Sequence, residues 1–211
     1  MKPVFVLQAL LAFNLVSLFS SAQTTNTNFS ASTEKVKKLF IDVHYLQPGK
    51  ISLKDVADAH SKDLAVEKKY EVEFLKYWVD EERGVVYCLS SASDSGSIVS
   101  THREAHGLVP AEIFQVTSGN QGSTKGKDDY YLDIHELGRG NVTAKDVENA
   151  HKLDLGVQAK YGVNFINYWV DERKGVIVCL SQAKDSSSIV KTHEEAHGLL
   201  PAKIYKVKQG Q

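Results

Sequence analysis

Eight histidines fall into two sets of four, His44, His60, His102 and His106, then His135, His151, His193 and His197, related by a constant offset of 91 positions. Neutral imidazole is the commonest protein ligand for first-row transition metals, so each set is a candidate metal-ligand set. His102 with His106, and His193 with His197, are spaced i and i+4, which places both rings of a pair on one face if the segment is helical. Carboxylates keep the same offset. Asp42, Asp63 and Glu104 return as Asp133, Asp154 and Glu195, while plain surface positions such as Arg103 and Glu194 differ. The residues expected to hold a metal are His44, His102 and His106, with Glu104 or His60 beside them. The second set is His135, His193 and His197, with Glu195 or His151.

Each of these residues also has a plainer reading. His106 and His197 would serve as helix C-terminal caps, where a cationic imidazole is favourable. His60 and His151 would be half-buried and paired with Asp63 and Asp154 at i+3, and His44 would be a solvated strand end. His193-Glu194-Glu195-Ala196-His197 matches the HExxH pattern of zinc proteases. The first copy has Arg103 where the catalytic glutamate would stand, and Gly198 ends the second helix at once, so a protease is not the reading taken. Cys88 and Cys179 fit small buried hydrophobes, a disulfide across the two copies, or thiolate ligands.

The histidines must be positioned by a repeated unit. THREAHGLVP at Thr101–Pro110 returns as THEEAHGLLP at Thr192–Pro201, and the offset holds without a gap from Leu39 to the C-terminus. Within one copy, Val36 to Tyr45 alternates as a strand. Ser52-x-x-Asp55 resembles a capping box opening a helix to about Tyr70. Val72 to Asp80 and Val85 to Ser90 form a hairpin, Asp94 starts a second helix ending near His106, and Ala111 to Val116 is a fourth strand. The order βαββαβ is a ferredoxin-like split unit, so the fold class is α+β, two tandem repeats packed as a pseudo-dimer. In such a unit the ends of strands one and two and the end of the second helix share one edge. His44, Asp80, Glu81, Glu104 and His106 converge there. Each sheet leaves one face open, and the two repeats are expected to meet by their open faces or their strand edges.

The 25 basic and 26 acidic residues balance, and no Lys/Arg patch speaks for a nucleic-acid partner. Lys2, an apolar run from Val4 to Phe19 and Ser20-Ser21-Ala22 read as a secretory signal peptide, which is the sole membrane contact expected. The organisation is therefore a signal peptide over 1–22, a leader over 23–36, repeat one over 37–117, a Gly/Ser/Lys-rich linker over 118–128 and repeat two over 129–211. Export makes Asn28-Phe29-Ser30 and Asn141-Val142-Thr143 glycosylation patterns of interest only in a eukaryotic secretory pathway.

At DVHYL, KYWVDEERG, CLSSA and THREAHGL the chain resembles a family of small single-domain bacterial proteins formerly catalogued as a domain of unknown function. Its characterised member is a nickel-binding, dimeric, ferredoxin-like protein. The resemblance implies nickel at sites on the dimer surface and a sequestering or detoxifying role; this chain departs in fusing two copies and in its export signal. The function expected is an exported, non-enzymatic binder of nickel or another divalent transition metal, as a monomer or homodimer, with affinity falling below pH about 6.5 as imidazole is protonated. A second reading is an enzyme with a His/Asp acid–base site beside His60. A third is a partner-binding module with an exposed sheet face.

Overall fold

A computed structural model describes residues 36–119 and 121–211. The expected signal peptide, the leader up to residue 35 and Asn28 lie outside these. In the first repeat β1 (Lys38–Tyr45), α1 (Leu53–Val66), β2 (Glu73–Asp80), β3 (Val85–Ala92), α2 (Ser95–Ala105) and β4 (Glu112–Ser118) follow in order. The second repeats them as β5 (Asp129–Glu136), α3 (Ala144–Tyr161), β6 (Asn164–Asp171), β7 (Val176–Ala183), α4 (Ser186–Ala196) and β8 (Lys203–Gly210). The expected fold is the one found. Ser52 with Asp55, and Thr143 with Asp146, form reciprocal capping boxes that start α1 and α3. The second helix of each repeat starts at an Asp94 or Asp185 cap, and left-handed Gly107 and Gly198 follow its end.

All eight strands close into one barrel in the order β1-β3-β2-β8-β5-β7-β6-β4. Each repeat supplies four neighbours. The seams are β2 against β8, with Trp78 opposite Gln209, and β4 against β6, with Ser118 opposite Trp169. Open faces and strand edges thus meet together, which leaves no unpaired sheet edge among the described residues. The interior is one apolar core containing Ile41, Val43, Trp78, Leu132, Ile134 and Trp169, with the two indoles 5.2 Å apart. The helices cover the outside of the barrel. Strands are therefore buried on both faces, and β1 sends Ile41 and Val43 inward while Phe40, Asp42 and His44 point beneath the helices. Asp133 and His135 are placed the same way on β5.

The seams depend on two glycines at equivalent positions, Gly119 and Gly210. A Cβ on Gly210 would lie 2.1 Å from Cζ of Tyr77, and one on Gly119 would lie 2.0 Å from Cζ of Tyr168. Both tyrosines are buried, so each ring must shift to make room. Gly210→Ala or Gly119→Ala is expected to cost about 1–3 kcal/mol through overpacking, read as a lower urea midpoint. Gly156→Ala is the control. It sits exposed in α3 with open space around it, so it should stabilise by roughly 0.5–1 kcal/mol.

Candidate metal centre

Helix periodicity puts the chemistry under the helices. α1 buries Val56, His60 and Asp63 at i, i+4 and i+7, and α2 buries Ile98, Thr101 and His102. The two buried stripes face the outward side chains of β1. His102 consequently lies between two carboxylates. Its Nδ1 is 2.9 Å from Asp63 Oδ1, and its Nε2 is 3.4 Å from Asp42 Oδ1, a charge contact longer than a good hydrogen bond. His106, the C-cap of α2, turns its ring back so that Nε2 lies 3.2 Å from His102 Nδ1 and 3.3 Å from Asp63 Oδ2. His44 closes the far end, with Nε2 3.1 Å from Asp42 Oδ1. The result is a chain running His44, Asp42, His102, Asp63, His106.

The second repeat rebuilds it closely. His193 Nδ1 is 2.9 Å from Asp154 and 3.2 Å from His197 Nε2, His193 Nε2 is 3.3 Å from Asp133 Oδ1, and His135 Nε2 is 3.2 Å from the same oxygen.

Charge is concentrated where water is absent. Asp42 and Asp133 are fully buried, and the second oxygen of each has no hydrogen-bond partner among the described residues. Burial alone would push these carboxyls up. Hydrogen bonds and charge from the flanking histidines outweigh it, holding Asp42 below the usual range and Asp133 at about 2. Asp63 and Asp154 are held down in the same way by His102 with His106 and by His193 with His197. Burial likewise opposes the imidazolium, yet two carboxylates win and raise His102 to about 9 and His193 to about 10. The central ring of each chain is therefore protonated at neutral pH, with its Nδ1 proton lying against Asp63 or Asp154.

Three donors in each repeat suit a metal ion. His102 Nδ1, His106 Nε2 and the Asp63 carboxylate are 2.9 to 3.3 Å apart. Donors bound at about 2.0–2.2 Å and roughly at right angles to one ion are about 3 Å apart. Asp42 then stands 3.4 Å behind the other ring nitrogen of His102, the place from which a carboxylate can orient a metal-ligating histidine. The fit carries one cost. His106 Nδ1 accepts from the Leu108 amide at 3.2 Å. Ligation through Nε2 moves the ring proton to Nδ1, against that amide, so the turn at Gly107 and Leu108 must yield.

Other residues expected at this edge sit elsewhere. Glu104 and Glu195 face solvent on the far side of their helices, bound to Lys69 with Tyr70 and to Lys160 with Tyr161. Asp80 caps its hairpin through Arg83, and Glu81 takes the Leu53 amide and Lys208. His60 and His151 are not paired with Asp63 and Asp154, whose oxygens are taken by the helix-two histidines. They stack on Tyr77 and Tyr168, with ring centroids 4.8 Å apart in both cases. His44 and His135 are buried and contact the centre through Asp42 and Asp133. Asp42 and Asp63 were absent from the expected ligand set, although both are kept at the 91-residue offset.

Cys88 and Cys179 are free and buried in separate clusters beneath different helices, so no bridge joins them. Cys88 lies within 4.8 Å of donor atoms of Asp42 and His44. Burial, and next the Asp42 charge, push its thiol up, so it is a neutral thiol in the metal-free protein. Among the described residues no helix is long and apolar enough to cross a membrane.

A family model described as nickel responsive protein SCO4226-like matches the chain twice, over residues 40–116 and 131–207. Among solved structures, SCO4226 from Streptomyces coelicolor is similar at 29% identity and a TM-score of 0.37, over 39% of this chain and 99% of its own. Chlorite dismutase from Candidatus Nitrospira defluvii is similar at 8% identity and a TM-score of 0.46, over 82% of this chain and 90% of its own. A heme-binding protein from Thermus thermophilus is similar at 10% identity and a TM-score of 0.43, over 83% and 92%. No curated protein matches the chain.

Proposed function

The chain belongs to the nickel responsive SCO4226-like family, and from that premise we propose that it binds nickel reversibly, one ion in each repeat. The ligands are Asp63, His102 and His106, and in the second repeat Asp154, His193 and His197. The observation carrying this reading is the mutual 2.9 to 3.3 Å spacing of three donor atoms, present twice. Imidazole and carboxylate donors suit nickel, and three protein ligands leave further coordination positions for water or a small ligand. Asp42 and Asp133 orient the central histidines, and His44 and His135 steady those carboxylates. The role is buffering or sequestration outside the cytoplasm; Lys2 and the apolar run Val4–Phe19 support export.

The test is calorimetric titration of the metal-stripped protein with nickel, zinc and copper at pH 7.5 and 5.5. Two ions per chain are expected, bound more weakly at the lower pH. Both sites should be lost when His102, His106, His193 and His197 become alanine. Absence of saturable binding, or binding that survives in the fourfold variant, would overturn the assignment.

A further inference from the structure

The first repeat holds a pocket of about 220 Å³ between α1, the end of α2 and the outer side of β2 and β3. Leu46, Ile51, Val56, Val86 and Leu108 make its walls, and Tyr77 lines it as well. The metal centre forms its polar side through His44, Asp63, His102 and His106, and His60 stands apart from these on α1. The His60 ring packs on Tyr77, and its nitrogens have no hydrogen-bond partner among the described residues. Burial lowers the pKa of this imidazole, which makes it a neutral group able to donate or accept. The equivalent pocket in the second repeat is about 110 Å³. Its lining differs, with Val142 in the place of Ile51. Ile177 stands where Val86 does, and Asn141 adds to the lining, its Nδ2 donating to Leu137 O at 2.7 Å.

We propose that the first repeat binds one small neutral aromatic compound bearing a hydroxyl or ring N–H, its ring held between Val56, Val86 and Tyr77 and its polar group hydrogen-bonded to His60. Apolar walls favour an uncharged ring. The carboxylates of Asp55 and Asp63, both in the lining, oppose an anion, and the one charged ring there, His102, is already held between Asp42 and Asp63. The volume admits a compound on the order of ten non-hydrogen atoms, smaller than drug-sized ligands. The smaller second pocket makes the stoichiometry one per chain, in contrast to two metal ions. This site adjoins the metal centre and shares Asp63, His102 and His106 with it, and it is tested on the metal-stripped protein so that its failure is distinguishable from a failure of nickel binding.

The experiment is a titration of the metal-stripped protein with p-cresol, indole and benzoate, followed by amide and methyl NMR shifts. Saturable shifts at Val56, Val86 and His60 are expected for p-cresol and indole, with one site per chain and none for benzoate. Ala59→Phe, which fills the pocket from α1, should weaken p-cresol at least tenfold. His60→Leu keeps the wall apolar and should weaken p-cresol to a similar degree. No saturable binding, benzoate binding as well as p-cresol, or two well-folded variants that bind p-cresol like the parent would each overturn the proposal.

Discussion

Replacing His102 and His193 with alanine is expected to abolish nickel binding in both repeats and to destabilise the metal-free protein by about 3–5 kcal/mol per repeat. The loss of binding follows from removing one of three donors. The loss of stability has another source. Each ring separates two carboxylates, Asp42 with Asp63 or Asp133 with Asp154, that are at most 4% exposed. Alanine leaves both buried without their shared cation. His106→Ala with His197→Ala separates the two effects, since these rings sit at the outer end of the chain. Binding should be lost with a much smaller shift in the urea midpoint. Glu104→Ala with Glu195→Ala should leave nickel titration unchanged, because those side chains are engaged with lysine and tyrosine at the surface. Nickel binding retained without His102 and His193 would remove these residues from the ligand set.

Nickel affinity should rise about tenfold per pH unit from neutrality to about pH 9 in the first repeat and about pH 10 in the second. The sign follows from competition for one nitrogen. Below its raised pKa, His102 carries a proton on Nδ1 that nickel must displace, so each unit of acid costs a factor of ten. Asp63, held below the usual carboxylate range, stays ionised throughout and adds no slope above pH about 4. Calorimetry in buffers of different ionisation heat should therefore report about one proton released per ion from the central histidine at pH 7. An affinity that levels off near pH 6.5, the value for an ordinary imidazole, would show that the central histidine is not a ligand. The threshold expected here lies above the pH of about 6.5 set by an ordinary imidazole, since two buried carboxylates stabilise the charged ring.

Much of this protein is legible in its sequence. A gapless 91-residue offset established two equivalent units. Alternation in VKKLFIDVHY, the Ser52–Asp55 box and Gly107 marked strand, helix start and helix end, because each depends on contacts within a few residues. The i and i+4 spacing brought His102 and His106 to one helical face for the same reason. Tertiary structure decided which carboxylates join them. Glu104 is only two residues from each histidine, yet helical rotation carries it to the opposite face, whereas Asp63, 39 positions from His102, arrives through the packing of α1 on α2. His44 reaches the centre through Asp42, a relation set by strand pleat and by the helix lying over it. Barrel closure and the unequal pockets have the same origin. They depend on distances and rotations between elements far apart in the chain, and local sequence periodicity carries information about faces but none about those distances.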